Sequence, residues 1–307
     1  MIGRDPTLVV TQADDAFHPP TSEAASWVET MWFPFWVPEE GLTASVRLWW
    51  SANAGQQGGA VAGWKGRSEG LFGDRWVEDY VEPPDLRSLR LSNGLEIECV
   101  APLSRYRIRH QSEQVELDLE FTSIMPPNPV PPEESPGMFE GHLEQPGRVT
   151  GTLAFRGQRK SIDCYAIRDR SWGPREMPEE LRLGNAYATA DGFGFFAYVN
   201  PTPDGEERIT SGYLLRDGVS ARLVSGERET HWVEERPASV RVRATDAAGR
   251  TLEAAGECVN VMASNAGNGV YAVLNLVRWE SDAGVAWGEN HDVWSEPAWL
   301  AAGRPAL

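Results

Sequence analysis

The feature that most constrains this chain is a tight turn between two alternating runs. Arg148–Arg156 and Lys160–Arg168 flank Gly157-Gln158, and in both runs apolar and polar residues alternate. Side chains on a strand point to opposite faces with a period of two, so this is the pattern of a β-hairpin. The same texture fills the chain. Leu42–Trp50, Ala60–Trp64, Asp74–Val81, Leu95–Val100, Ser104–His110 and Gln114–Phe121 precede the hairpin, and in the last Val115, Leu117, Leu119 and Phe121 share a face. Gly184–Ala190, Gly192–Val199, Arg208–Leu215, Val219–Val224, Thr230–Glu235, Ser239–Ala244, Thr251–Val261, Gly269–Trp279 and Gly284–Asn290 follow it. Turn signals at Asp191-Gly192, Asp217-Gly218 and Ala247–Gly249 separate many of these segments at short intervals. Such spacing implies an all-β, antiparallel architecture.

Four stretches break the pattern. Residues 1–26 read as irregular, with Pro19-Pro20 near their end. Trp27–Trp36 is strongly aromatic and interrupted by Pro34, which suits an edge strand or a plug over the open end of a barrel. Ile124–Gly137 is too Pro-rich to be regular and reads as a surface loop, a connector or a lid. Pro174–Leu183 is a short helix or turn, and the domain junction is placed there. Residues 1–178 and 179–307 then form two tandem domains, each a curled or barrel-like sheet.

A length of 307 residues gives room for two cores. The net charge of −17 argues against nucleic acid, which requires a basic footprint, and against docking to anionic membranes. No apolar window is long enough for a membrane span, and the N-terminus lacks the apolar core of a signal peptide. Three widely spaced cysteines suggest neither a disulfide framework nor a zinc knuckle. A soluble cytoplasmic protein is expected. No GxGxxG, Walker A, HExxH or GxSxG sequence occurs, and the five histidines are never at short ligand spacing. No cofactor and no metal are therefore expected.

Polar groups concentrate around the hairpin. His142 and Glu144 lie two apart, on one face if Phe139–Gln145 is extended. Asp169, Trp172, Gly173, Pro174 and Arg175 follow its second strand. Asp169 reads either as a carboxylate bonded to backbone amides or to Arg175 at a domain corner, or as an acid whose pKa is raised in an apolar, Trp-lined cavity. His142 is either a satisfied core histidine or, with Glu144, a group that orients water or shuttles a proton. Trp172 packs, or lends its ring face to a cation. A second knot, Trp287 through Trp294, again puts Glu289 and His291 on one face, and a solvated strand end explains it equally well. The catalytic set is accordingly Asp169, His142 and Glu144; the substrate-contacting set is Trp172, Arg175, Tyr165, Trp287, Glu289 and His291. Thirteen tryptophans suit half-buried β-surfaces, and they suit an aromatic cavity for a hydrophobic small molecule as well.

The segment Asp169-Arg170-Ser171-Trp172-Gly173-Pro174-Arg175 resembles the two-domain, lipocalin-like superfamily of the carotenoid 1,2-hydratases (hydroxyneurosporene synthases), which also includes Diels–Alder cyclases of natural-product pathways. Asp169, Trp172 and Gly173 match its D-x-x-W-G segment, and His142 matches the histidine on a preceding strand. The longer ending through Arg175 resembles bacterial members rather than the carotenoid enzymes. The resemblance implies two lipocalin-like β-barrel domains with a hydrophobic pocket near their junction. It also implies that Asp169 protonates an isolated alkene and that His142 positions the water that captures the cation. The leading expectation is a cofactor-independent hydratase or lyase for an isoprenoid, steroid or polyketide-like substrate. A cyclase or isomerase, and a carrier of an apolar ligand, are the alternatives.

Overall fold

The computed structural model describes residues 10–306, apart from 83–86, 135, 136, 203, 204 and 268. Residues 1–9, where the reading of an absent signal peptide begins, lie outside the described residues. The first sheet comprises β1 (Trp27–Val37), β2 (Leu42–Ser51), β3 (Gln56–Lys65), β4 (Glu69–Asp79), β5 (Ser88–Arg90), β6 (Glu96–Ala101), β7 (Arg105–Gln111), β8 (Val115–Ser123), β9 (Asn128–Pro129), β10 (Gly141–Phe155) and β11 (Gln158–Pro174). The second comprises β12 (Arg182–Ala190), β13 (Phe193–Pro201), β14 (Glu207–Arg216), β15 (Val219–Val233), β16 (Arg236–Asp246), β17 (Thr251–Cys258), β18 (Met262–Gly267), β19 (Val270–Ser281) and β20 (Gly284–Ser295). One α-helix, α1 (Glu296–Ala301), follows.

The fold is all-β, in two lipocalin-like domains. In the first, the order β4-β3-β2-β1-β11-β10-β8-β7-β6-β5 leaves the ladder open, with β9 on β10. The sheet nevertheless curls: His110 Nε2 reaches Asp74 at 2.8 Å, and the Gly73 amide donates to Gln114 Oε1 at 3.3 Å. In the second, β17 runs through β16, β15, β14, β13, β12 and β20 to β19, and β19 pairs back onto β17. That closes an eight-stranded barrel, which removes its edges.

The local readings need five adjustments. The hairpin turn sits at Arg156-Gly157, not Gly157-Gln158: both residues have positive φ (49° and 72°) and Phe155 pairs with Gln158. Residues Trp27–Trp36 form an interior strand, between β2 and β11. Pro34 is tolerated there because β1 pairs with β11 only over Trp27–Trp32, so its missing N–H falls beyond that ladder. Val219–Val224 and Thr230–Val233 belong to one strand, β15, bulged at Val224, and Glu234-Glu235 form the turn that follows. Pro174–Leu183 holds no helix; β11 ends at Pro174 and a turn precedes β12. The Pro-rich loop contains β9, which pairs with Leu143 and Glu144.

Each domain buries an arginine network besides its apolar core. In the first, Arg168 Nη1 pairs with Asp15 at 3.0 Å, its Nε bonds Gln145 at 2.6 Å, and its guanidinium lies 4.4 Å from the Tyr106 ring centroid. Arg170 pairs with Glu29, which also receives His18 at 3.0 Å. These bonds tie the N-terminal segment into the sheet. In the second, Arg228 bonds Glu207, Asn290 and Asp292 inside the barrel. Removing one partner strands a buried charge, so Arg168→Met should cost about 3–5 kcal/mol in urea unfolding. A loss below about 1 kcal/mol would show that Arg168 is not what holds Asp15 in the core.

Candidate active site between the two sheets

Cross-strand register builds the site. On the first sheet Glu144, Asp169, Trp32 and Arg47 are opposite one another on β10, β11, β1 and β2, and therefore share a face. The next row on that face is His142, Ser171, Thr30 and Trp49. On the second sheet one row runs Glu289, Tyr187, Phe196, Tyr213 and the next His291, Asn185, Tyr198, Ser211. The two faces meet. The Trp32 and His291 rings are 5.3 Å apart, and Tyr187, Phe196, Tyr198 and Tyr213 join the apolar cluster of the first domain rather than the core of their own barrel.

His142 is the hinge of the polar groups. Its Nε2 lies 3.0 Å from Glu144 Oε1 and 3.2 Å from Asp169 Oδ2. Burial alone would push the imidazole pKa down, but the two carboxylates prevail and hold it at about 9. Burial raises Glu144, with the Asp169 charge adding to it, while His142 and His291 oppose the rise. Asp169 is the more accessible carboxylate, its side chain 19 % exposed against 3 % for Glu144. The expected apolar, Trp-lined surrounding of Asp169 is thus replaced by a histidine and by the charges of Arg47 and Arg175, which both feel it. Across the interface Glu289 bonds the Tyr187 hydroxyl and His291 Nε2, the latter at 3.2 Å. Burial lifts Tyr187 and Tyr213 well above the ordinary phenol range, so both are neutral donors.

Among the described residues, buried polar atoms of these two faces that have no protein partner include His142 Nδ1, Glu144 Oε2, Arg175 Nη1, Asn185 Oδ1, Ser211 Oγ, Tyr213 OH and Glu289 Oε1. Interiors rarely leave such atoms unmatched, and a cluster of them marks a place where a polar ligand or water belongs. His142, Glu144 and Asp169 also offer a metal ion one nitrogen and two oxygens within 4.8 Å of one another. That N/O/O set fits a divalent ion, provided His142 first gives up its proton.

The structure brings together Asp169, His142, Glu144, Arg175, Trp287, Glu289 and His291. Arg175 donates to Ser171 Oγ at 2.8 Å, and Trp287 lies on the same face as Glu289 and His291. Two residues fall elsewhere. Trp172 is on the opposite face from Asp169, stacked on His18 at 3.7 Å and pressed against Gly141, where a Cβ would meet its ring at 2.2 Å. Tyr165 lies near Arg148, in a surface depression with Thr122, Ile124 and Thr150. Sequence reading missed Trp32, Arg47, Tyr187, Phe196, Tyr198 and Tyr213, because their convergence depends on register between distant strands. Five of the thirteen tryptophans simply pack: Trp27, Trp36, Trp50, Trp279 and Trp299 are fully buried. An open groove of about 700 Å³ crosses β15, β16, β17 and β19, but its lining of exposed charges such as Glu229 and Arg241 makes no comparable cluster.

A family model described as a domain of unknown function, DUF7064, matches residues 11–294. No curated protein gives a significant sequence match. Among solved structures, a protein provisionally assigned as AttH from Nitrosomonas europaea is 16 % identical, with a TM-score of 0.64 over 88 % of this chain and 92 % of that one. CghA, solved with Sch210972, is 13 % identical with a TM-score of 0.58 over 88 % and 89 %. Kievitone hydratase from Nectria haematococca is 13 % identical with a TM-score of 0.56 over 95 % of both chains. At these identities the likeness establishes the shared fold. No helix among the described residues is long and apolar enough to cross a membrane.

The raised pKa of His142 sets a pH dependence. A folded pKa of about 9 against an ordinary 6.5 stabilises the protein fully below about 6.5, and this contribution is lost as pH rises through about 9. The melting temperature should therefore fall across that window, and His142→Gln should flatten the fall. An equal fall in the variant would assign it to other groups.

Proposed function

Since the chain belongs to the DUF7064 family, whose description carries no activity, we propose a function from the site itself: cofactor-independent proton transfer to an apolar small molecule held between the two sheets, as a hydratase or dehydratase. The observation that carries this reading is the buried imidazole shared by two carboxylates, on a face where further polar atoms lack protein partners. Asp169, the accessible member, is the group that touches substrate. Glu144, whose carboxyl is pushed up by burial, stores the proton, and His142 passes it between them.

In the hydration direction the Asp169 carboxyl gives its proton to one alkene carbon, and the C=C pair forms the new C–H bond. Water adds to the resulting cation and loses a proton to Asp169, which returns it through His142 to Glu144 and so restores the starting state. Elimination of water follows the same path backwards. The aromatic rows supply apolar contact, and ring faces such as those of Trp32 and Phe196 stabilise positive charge. The likeness in fold to kievitone hydratase supports a hydratase, and the further link to carotenoid hydratases rests on the D-x-S-W-G-P-R segment alone. A second reading, a cyclase that works by holding its substrate folded, draws support from the likeness to CghA, solved with Sch210972.

The test is a lipid-soluble extract of the source cells incubated in ¹⁸O-water with wild type or Asp169→Asn. A labelled product should form with wild type and fall by about 10²–10⁴-fold in the variant. Full turnover by folded Asp169→Asn would remove its acid role. An unlabelled isomer would select the cyclase, and a compound that co-purifies unchanged with both proteins would leave a carrier.

A further inference from the structure

The same face carries cations that the proton-transfer reading does not use. Arg47 is exposed to water, and its pKa is lowered by the protein packed around it, with Arg75 adding to the fall and Asp169 opposing it. It lies in one row with Trp32 and Asp169, and Arg75 extends that row across β3 onto β4. Arg175 enters from the strand end beyond Ser171, with Nη2 on Ser171 Oγ and Nη1 buried without a partner. Neither Arg47 nor Arg175 makes an ion pair among the described residues; Asp169, the carboxylate nearest in charge to both, is hydrogen-bonded to His142 instead.

That arrangement is costly in a chain of net charge −17, where carboxylates are plentiful. Burying the Arg175 guanidinium without a counter-charge is unfavourable: burial brings its pKa down to about 10, and the charge of Arg47 adds to that fall while Asp169 opposes it. Small and aromatic side chains also flank Arg47. Ala60 is its cross-strand neighbour, and the Trp49 ring lies so close over Gly58 that a Cβ there would meet it at 2.8 Å. Across the interface the rings of Tyr198 and Tyr213 belong to the apolar cluster of the first domain, and Tyr198 is within electrostatic reach of Arg175. This face therefore pairs apolar side chains with unmatched guanidinium forks, the geometry that takes an oxyanion bidentately.

We propose that the ligand of this site is amphipathic: an apolar body carrying one oxyanion, a carboxylate or a phosphate, that binds Arg47 and Arg175 and so places the body of the molecule beside Asp169. The proposal rests on the interface being a ligand site, as the function above requires. It adds a positioning role for the two arginines. A neutral alkene would leave both cations unmatched, whereas an anionic one neutralises them and fixes which of its carbons faces the acid.

Two probes with one skeleton test it: 1-anilinonaphthalene-8-sulfonate and its neutral counterpart N-phenyl-1-naphthylamine, both read by fluorescence enhancement. The sulfonate should bind wild type at least about tenfold more tightly. Arg47→Gln should bring the two within about threefold of each other, while Arg241→Gln, on the exposed groove of the barrel, should change nothing. Arg175→Gln should act as Arg47→Gln does if it folds, and Arg47→Gln decides the matter if it does not. Naphthoate and naphthyl phosphate then compete for the bound sulfonate, and the one that displaces it at the lower concentration identifies the head group. Equal binding of charged and neutral probes overturns the oxyanion but keeps the apolar site. An equal loss in Arg241→Gln, or no displacement by either competitor, also overturns it. If neither probe binds, the oxyanion and the ligand site fall together.

Discussion

Charge taken out of water must find a partner, and in this protein the interface between the two sheets is where that requirement is sharpest. His142, Glu144 and Asp169 sit on a sheet face covered by a second barrel, and the imidazole stays cationic because two carboxylates share its Nε2. Remove either and the remaining groups lose their balance: a lone buried carboxylate takes up a proton, and a lone buried imidazole gives one up. The same logic organises each domain interior, where Arg168, Arg170 and Arg228 are matched by Asp15 of the N-terminal segment, Glu29 of β1 and Asp292 of β20. Those charges are paired, although Arg168 Nη2 and Arg170 Nε have no further partner among the described residues. At the interface the matching is incomplete, and the unmatched atoms mark it as the working surface.

The two faces echo each other. The first presents His142-x-Glu144 on β10, and the second Glu289-x-His291 on β20, each pair bonded within itself and backed by a partner, Asp169 on one side and Tyr187 on the other. A strand period of two makes both pairs possible, since residues two apart share a face. The barrel puts its short residues inside: Ala186, Ala188 and Ala197 fill the interior, while Tyr187, Phe196 and Tyr198 turn outward to meet the first sheet. The outward face of a closed barrel is ordinarily polar, and the exchange is what builds an aromatic wall opposite the acid.

Much of the fold was legible because β-alternation and turn chemistry are local. The hairpin of β10 and β11 announces itself in Arg148–Arg168, and only its turn moved by one residue, because Arg156 accepts a positive φ. Local signals misjudged Trp27–Trp36, where Pro34 suggested an edge; the strand is interior, and the proline sits where one ladder has already ended. They also divided β15, whose polar middle carries the inward-facing Arg228. Within the site, His142, Glu144, Glu289 and His291 were visible as pairs two apart, and Asp169 by its place after the hairpin. Trp32 and Arg47 were not, because they join the site through register with strands far away in sequence. Trp172 misled for a related reason: it is three residues from Asp169, an odd separation that sends it to the opposite face.

The most direct measurement is a proton NMR titration of the imidazole resonances, assigned by their loss in His142→Gln. A ring held between two carboxylates should remain cationic through neutrality, with a midpoint near 9. A midpoint at or below the ordinary 6.5 would mean that burial outweighs the carboxylates, and that His142 is a neutral core residue with no proton to pass.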